Sequence, residues 1–438
     1  MLHVDDLRIE TEVLPLFNYT YSAEAEAALL QLLQDLPTTV EGVLEKQAIL
    51  RAFEVNQTVL ADFSYSKVQQ QEVSRFLHEA VSRQRRLETS RVKMAVQLLF
   101  SEEARYQSRA RYVQVLLFLR RLEQHYFSQL HTADFPAAFK AQLTGITRFL
   151  ERFSLTDSAH AIAEDNFSAA LMIRFARQLL AVRPEELAAF WQALYQFEAY
   201  WSAAKGMQQM GLVLPEFQAA GLQLTGFYHP LLAAPVRNTL EMRPTENVVI
   251  LTGPNMSGKS TLLKAVGLCV YLAHAGLGVP AARCQLPFYR SIVVTINLAD
   301  SLASGYSHFM VEIRNLKAVL HAAHGPGQVF AVFDELFRGT NVDDALEITR
   351  ATLRGLAGFS GSCFLISTHL QQLEGVLAGQ PGLLPYSIEC ALHNGVPKFS
   401  YRLQTGWSTL KIGQIIFAKE GIHELLRPVM PAAQPSSL

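Results

Sequence analysis

The 438-residue sequence predicts an all-α first half followed by an α/β second half on a mainly parallel sheet. Three observations predict this. Apolar residues recur at helical spacing in the first half. After about Leu222 they gather instead into short continuous runs bounded by Gly, Pro, Asn and Asp. One of those runs leads into a glycine-rich phosphate-loop motif with a helical pattern behind it. The domains are expected at 1–222 and 223–438.

In the first half, Leu29, Leu33 and Leu36, then Leu44, Ile49 and Phe53, fall three to five residues apart and mark helix between Ser22 and Leu60. Val68 to Leu130 is without Gly or Pro and rich in Gln, Arg, Glu, Ala and Leu, so long helices are expected. A further amphipathic stretch runs from Pro184 to Met210. Its aromatic residues Phe190, Trp191, Tyr195, Phe197, Tyr200 and Trp201 have the spacing of packing between helices, not of a base-stacking platform. In the second half, Val248–Leu251, Ile292–Ile296, Val329–Phe333 and Cys363–Ile366 are apolar throughout. That suits strands covered by helices on both faces. Ala265–Ala282 is the nearest thing to a membrane span, but it contains His274 and follows the phosphate loop. It reads as a buried helix and its exit, and no membrane partner is expected.

The chain carries 38 basic and 39 acidic residues, which excludes a uniformly basic nucleic-acid coat. Residues 75–121 hold 11 basic and 4 acidic residues, a local excess that suits either a phosphate-facing stripe or a solvated, ion-paired helix surface. The first ten residues include three acids and no signal-peptide pattern. Cys269, Cys284, Cys363 and Cys390 form no CxxC pair, so reduced thiols in a cytoplasmic protein are expected.

Three strand ends carry the chemistry. Gly253-Pro254-Asn255-Met256-Ser257-Gly258-Lys259-Ser260-Thr261 fits G-x-x-x-x-G-K-[ST] between a strand and a helix. Gly253 and Gly258 let the backbone wrap so that N–H groups face phosphate oxygens. The helix adds its positive end. Lys259 reaches the outer phosphates, and Ser260 is placed to ligate Mg2+. Val329–Phe333 then ends in Asp334, which suits the metal, and Glu335, which suits a general base for an attacking water. Cys363–Ser367 leads to Thr368 and His369, an imidazole where a γ-phosphate can be sensed.

These motifs resemble those of the MutS family of DNA mismatch repair ATPases. Gly253–Thr261 looks like its phosphate loop, and Asp300–Glu312 like its signature loop. Asp334–Asn341 looks like its Walker B and following turn, and Ser367-Thr368-His369 like its switch histidine. Leu214–Phe217 and Tyr228-His229-Pro230 resemble the entry to its ATPase domain. Tyr401–Ser408 with Gly413 resembles its C-terminal helical segment. The match is near continuous from about residue 187 to 425, and residues 15–57 faintly resemble the start of the family's helical core domain.

The resemblance implies a P-loop ATPase of the ABC type, with a helical core and lever domain in front and a C-terminal dimerisation segment behind. ATP and Mg2+ are the implied cofactors, and a homodimer acting on duplex or branched DNA the implied assembly. Ser307 would reach the partner's γ-phosphate in trans, and Arg338–Asn341 would lie at the dimer seam. His308 stands where the family usually has Thr, and Phe337 where it has a small residue. Val236 is the nearest candidate for the ring the family stacks on adenine.

A short member is implied, without an N-terminal mismatch-reading domain and without a nuclease domain after residue 425. Phe100-Ser101-Glu102 matches the Phe-x-Glu of mismatch readers in three letters only, within helical sequence, and is read as coincidence. An ABC-type ATPase acting on a protein partner and a nucleotide-switched scaffold are the competing readings.

Overall fold

The computed structural model describes residues 2–83, 102–296, 308–337, 339–393, 396–408, 415, 417 and 419–426. The chain divides into two compact units, residues 9–210 with 275–277, and residues 1–8, 211–274 and 278–438. The division falls at 210/211, where the sequence suggests 222/223, and the first eight residues go with the second unit.

The first unit is helical. Ala23–Gln34 and Val40–Val55 form within the helical stretch expected from Ser22 to Leu60, with Pro37 in the break between them. Ser22 and Thr39 start the two helices, their hydroxyls accepting from Ala25 N and Gly42 N. Lys67–Arg83 and Glu102–Arg121 lie within the Gly-free stretch, and Ala137–Glu151, Leu155–Ala163 and Ala169–Leu180 follow. Pro184–Met210 is the axial helix, with Pro184 at its first position where no N–H is needed. Its aromatic residues pack as expected. Phe197 lies 5.1 Å from Phe53, Trp201 4.8 Å from Phe63, and Phe190 stacks on Phe149 at 4.2 Å. Tyr195 is the part-exposed member, and its hydroxyl accepts from Gln70 Nε2 at 2.9 Å. Within the basic stretch, Arg109 pairs with Asp165, Arg120 with Glu123, and Arg121 donates to Ser64. Residues 84–101, with Phe100 and Ser101, lie outside the described residues.

The second unit holds two sheets. Its strands are β1 (Leu2–His3), β2 (Glu216–Phe217), β3 (Leu222–Phe227), β4 (Asn238–Met242), β5 (Val248–Thr252), β6 (Arg283–Leu286), β7 (Tyr289–Thr295), β8 (Gln328–Phe333), β9 (Cys363–Ser367), β10 (Leu383–His393) and β11 (Val396–Thr405). The larger sheet has the order β1-β7-β8-β9-β5-β10-β11. Every neighbouring pair in it is parallel except β10–β11. Strands β5 and β9 are buried along their whole length, which is why their sequences are apolar on both faces. A smaller sheet, β2-β6-β3-β4, was not legible in the sequence.

Val396–Thr405 corrects one expectation. Tyr401–Ser408 resembles the start of a helical segment, yet residues through Thr405 form a strand antiparallel to β10. Phe399, Tyr401 and Leu403 alternate with polar residues there, a period-two pattern that suits a strand. Helix Lys259–His274 is buried over nearly its whole length, as expected of a core helix. No helix among the described residues is long and apolar enough to cross a membrane.

Candidate nucleotide-binding site

In a parallel sheet, ligands gather outside the carboxyl ends of the strands. Strand β9 lies between β5 and β8, so the ends of these three strands are neighbours. The loop after β5 is Gly253–Gly258. Gly253 and Gly258 have φ of +150° and +92°, and a Cβ on Gly253 would come within 3.0 Å of Ser257 Oγ. Met256 also has a positive φ of +68°, and its side chain is 79% exposed, so only its backbone serves the loop. Asn255 and Thr261 are exposed as well.

Lys259 opens the helix and turns back into the loop. Its Nζ donates to Gly253 O at 2.9 Å and Pro254 O at 3.1 Å. Burial lowers its pKa, although Glu335 and Asp334 pull the other way. Ser260 Oγ donates to Asp334 Oδ2. Asp334 Oδ1 accepts from Ser367 Oγ, and that hydroxyl accepts from Glu335 N at 2.8 Å. Asp334 N donates to Thr295 O at 3.1 Å, which ties the acid to β7.

Glu335 has a φ of +53°, sparse for a residue with a side chain, and its Oε1 is hydrogen-bonded to His369 Nε2. With the carboxylate accepting, Nε2 carries the proton. Hydrogen bonds thus join Ser260, Asp334, Ser367, Glu335 and His369 into one group, and Lys259 feels the charge of both acids from the loop.

Phe337, one of the departures, and Asn341, from the turn after the strand-end acids, have structural roles. Phe337 is buried, packs edge-on to Phe309 at 6.2 Å and donates its N–H to the buried carboxylate of Glu312 at 2.8 Å. Asn341 caps helix Val342–Leu356 by accepting from Asp344 N at 2.9 Å. Ser307, Arg338 and Gly413 lie outside the described residues, as does the rest of Asp300–Ser307, so the trans contact of Ser307 has no geometry here.

Beside the loop lies a cleft of about 320 Å³, within the usual range for small-ligand sites. Val236, Ser257, Gly258 and Thr261 line it, and so do Ile388 and Tyr401. Val236 is therefore at the cleft, but an aromatic ring stands there too. Tyr401 sits in a bulge where β11 slips against β10 between Ile388 and Cys390, with a φ of +58°. Asn238 pins the bulge, donating to Tyr401 O at 3.0 Å and accepting from Leu403 N at 2.8 Å. The ring lies 3.3 Å from where a Cβ on Gly258 would be. Nothing in the local sequence announces the bulge. The alternation of Phe399, Tyr401 and Leu403 was the available signal for the strand.

The residues fit Mg2+ and a nucleotide. The hydroxyl of Ser260 and the carboxylate of Asp334 are hard oxygen donors. The described residues contain no cluster of three or more His, Cys, Asp or Glu able to cage a metal. That suits an ion completed by phosphate oxygens and water. Ser257 Oγ is buried at the cleft without a hydrogen-bond partner, a polar atom that a ligand would satisfy.

Residues 249–425 match the family model of MutS domain V. A DNA mismatch repair protein MutS from Natronomonas pharaonis is 30% identical over 255 residues, covering 57% of this chain and 30% of that protein. The chain thus matches less than a third of that curated relative's length. The likeness to MutS thus lies over residues 249–425, the part of the chain that resembles its domain V.

Proposed function

We propose that the second unit is an ATPase of the ABC type, that it works as a homodimer, and that its nucleotide state controls an action on DNA. One observation carries the catalytic part. Lys259, Ser260, Asp334, Glu335 and His369 converge from three strand ends, with Asp334 joined to Ser260 and Glu335 joined to His369. In this reading Gly253–Gly258 wraps the phosphates and Lys259 leaves the loop carbonyls for the outer phosphates. Bound Mg2+, held by Ser260 and Asp334, would neutralise phosphate charge. Glu335 accepts the proton of the attacking water, and His369 holds Glu335 and senses the γ-phosphate. Tyr401 and Val236 cover the base. Ser307 of the second copy closes the site.

The DNA and dimer parts rest on the likeness to MutS domain V and on the name of the relative, a DNA mismatch repair protein. Steady-state hydrolysis and DNA binding test them together. Hydrolysis should require Mg2+, and turnover per chain should rise with protein concentration as dimers form. Affinity for duplex, junction or flap DNA should fall with salt, because neutralising phosphates releases counterions. Turnover independent of concentration contradicts the dimer. Absence of salt-dependent binding to every DNA tested contradicts the DNA role and favours a protein partner.

A further inference from the structure

We propose that Ser367 is a positioning residue of the nucleotide site, one hydroxyl that fixes both the metal-facing carboxylate of Asp334 and the turn that presents Glu335. The inference rests on the ATPase reading above and deepens it.

The sheet register creates the arrangement. Strands β8 and β9 are parallel, with Phe333 opposite Ile366, so the residues that follow, Asp334 just past the end of β8 and Ser367 as the last residue of β9, stand side by side. Ser367 is fully buried. A serine hydroxyl has one proton and two lone pairs. Here the proton goes to Asp334 Oδ1, and a lone pair receives Glu335 N–H at 2.8 Å. The same oxygen therefore grips two consecutive residues with unlike tasks.

For Asp334 the effect is orientation. The torsion that turns a carboxylate about its stem is soft. With Oδ1 held by Ser367, Oδ2 is directed at Ser260 Oγ, the other oxygen assigned to the metal. For Glu335 the effect is on the backbone. Its φ of +53° is sparsely populated by residues with side chains, and the bond from its N–H helps to hold it there. Alanine removes both bonds and takes away one oxygen atom. Threonine keeps the hydroxyl and adds a methyl group.

The test compares wild type, Ser367→Ala and Ser367→Thr by binding. Mn2+ affinity is read by electron paramagnetic resonance with ADP present, and ADP affinity is read separately in EDTA. Partners that orient a metal ligand typically contribute about 10- to 100-fold in metal affinity. Ser367→Ala is expected to weaken Mn2+ binding by at least about 10-fold, with metal-free ADP binding preserved and Ser367→Thr recovering most of the loss. Unchanged Mn2+ affinity in Ser367→Ala would overturn the proposal, even with a lowered melting temperature, because the role would then be structural. Equal losses of Mn2+ and metal-free ADP binding would overturn it too. A wild type that binds no Mn2+ with ADP overturns the nucleotide-site reading itself, a result distinct from an alanine variant that matches wild type.

Discussion

Glu198 is a carboxyl buried among aromatic rings in the middle of helix Pro184–Met210. It accepts from Tyr21 N and from the hydroxyl of Tyr65. Burial drives its pKa up from 4.5 to about 7, against the pull of those hydrogen bonds. The folded state therefore holds a proton that the unfolded chain releases near 4.5. This contribution to stability is full below pH 4.5 and is lost as the pH rises to about 7. A shift of this size corresponds to roughly 2–3 kcal/mol between pH 5 and pH 8. Glu198→Gln should remove that dependence. In urea unfolding, the variant should gain on wild type by up to about 2 kcal/mol from pH 5 to pH 8. An equal stability difference at both pH values would mean that Glu198 does not titrate in this range. Nothing in the residues around Glu198 reveals this burial, because a lone acid in an amphipathic stretch reads as a solvated one.

At the scale of elements, legibility followed burial. β5 and β9 were readable because both faces are covered, and a run such as Val248–Leu251 has no other simple reading. The phosphate loop was readable because its glycines are required by the backbone itself. The hairpin β10–β11 was missed although its pairing is local, with His393 opposite Val396, and its bulge leaves no mark in composition. The site residue missed with it was Tyr401. Its ring offers a stacking surface that Val236 lacks, and stacked rings contribute about 0.5–1.5 kcal/mol beyond burial. Tyr401→Ala should weaken ATP affinity by about 2- to 10-fold, while Tyr401→Phe stays near wild type. Titration with a fluorescent adenine nucleotide reads both. A loss shared equally by Phe and Ala would assign the hydroxyl, not the ring, to the site.

For the whole molecule, neutral charge averages two unlike halves. Residues 1–220 carry 22 basic and 26 acidic residues, which leaves 16 basic and 13 acidic for the rest. The helical unit spends its apolar residues on an aromatic core around one axial helix. The second unit spends them on a mainly parallel sheet whose strand ends assemble the proposed nucleotide site. The helical half was legible as texture, whereas the second half offered motifs, because a motif fixes residue types at fixed spacing and helix packing accepts many apolar choices.

The claim that Glu335 makes this site a hydrolase is tested most directly by one paired measurement on Glu335→Gln, ATP binding and single-turnover ATP hydrolysis on the same preparation. General bases contribute about 10²- to 10⁴-fold to rate. Binding within about 3-fold of wild type, with hydrolysis slowed at least about 100-fold, is the expected result. Hydrolysis at the wild-type rate in the Gln variant would contradict the assignment of Glu335 as the base, and with it the proposed chemistry of the site.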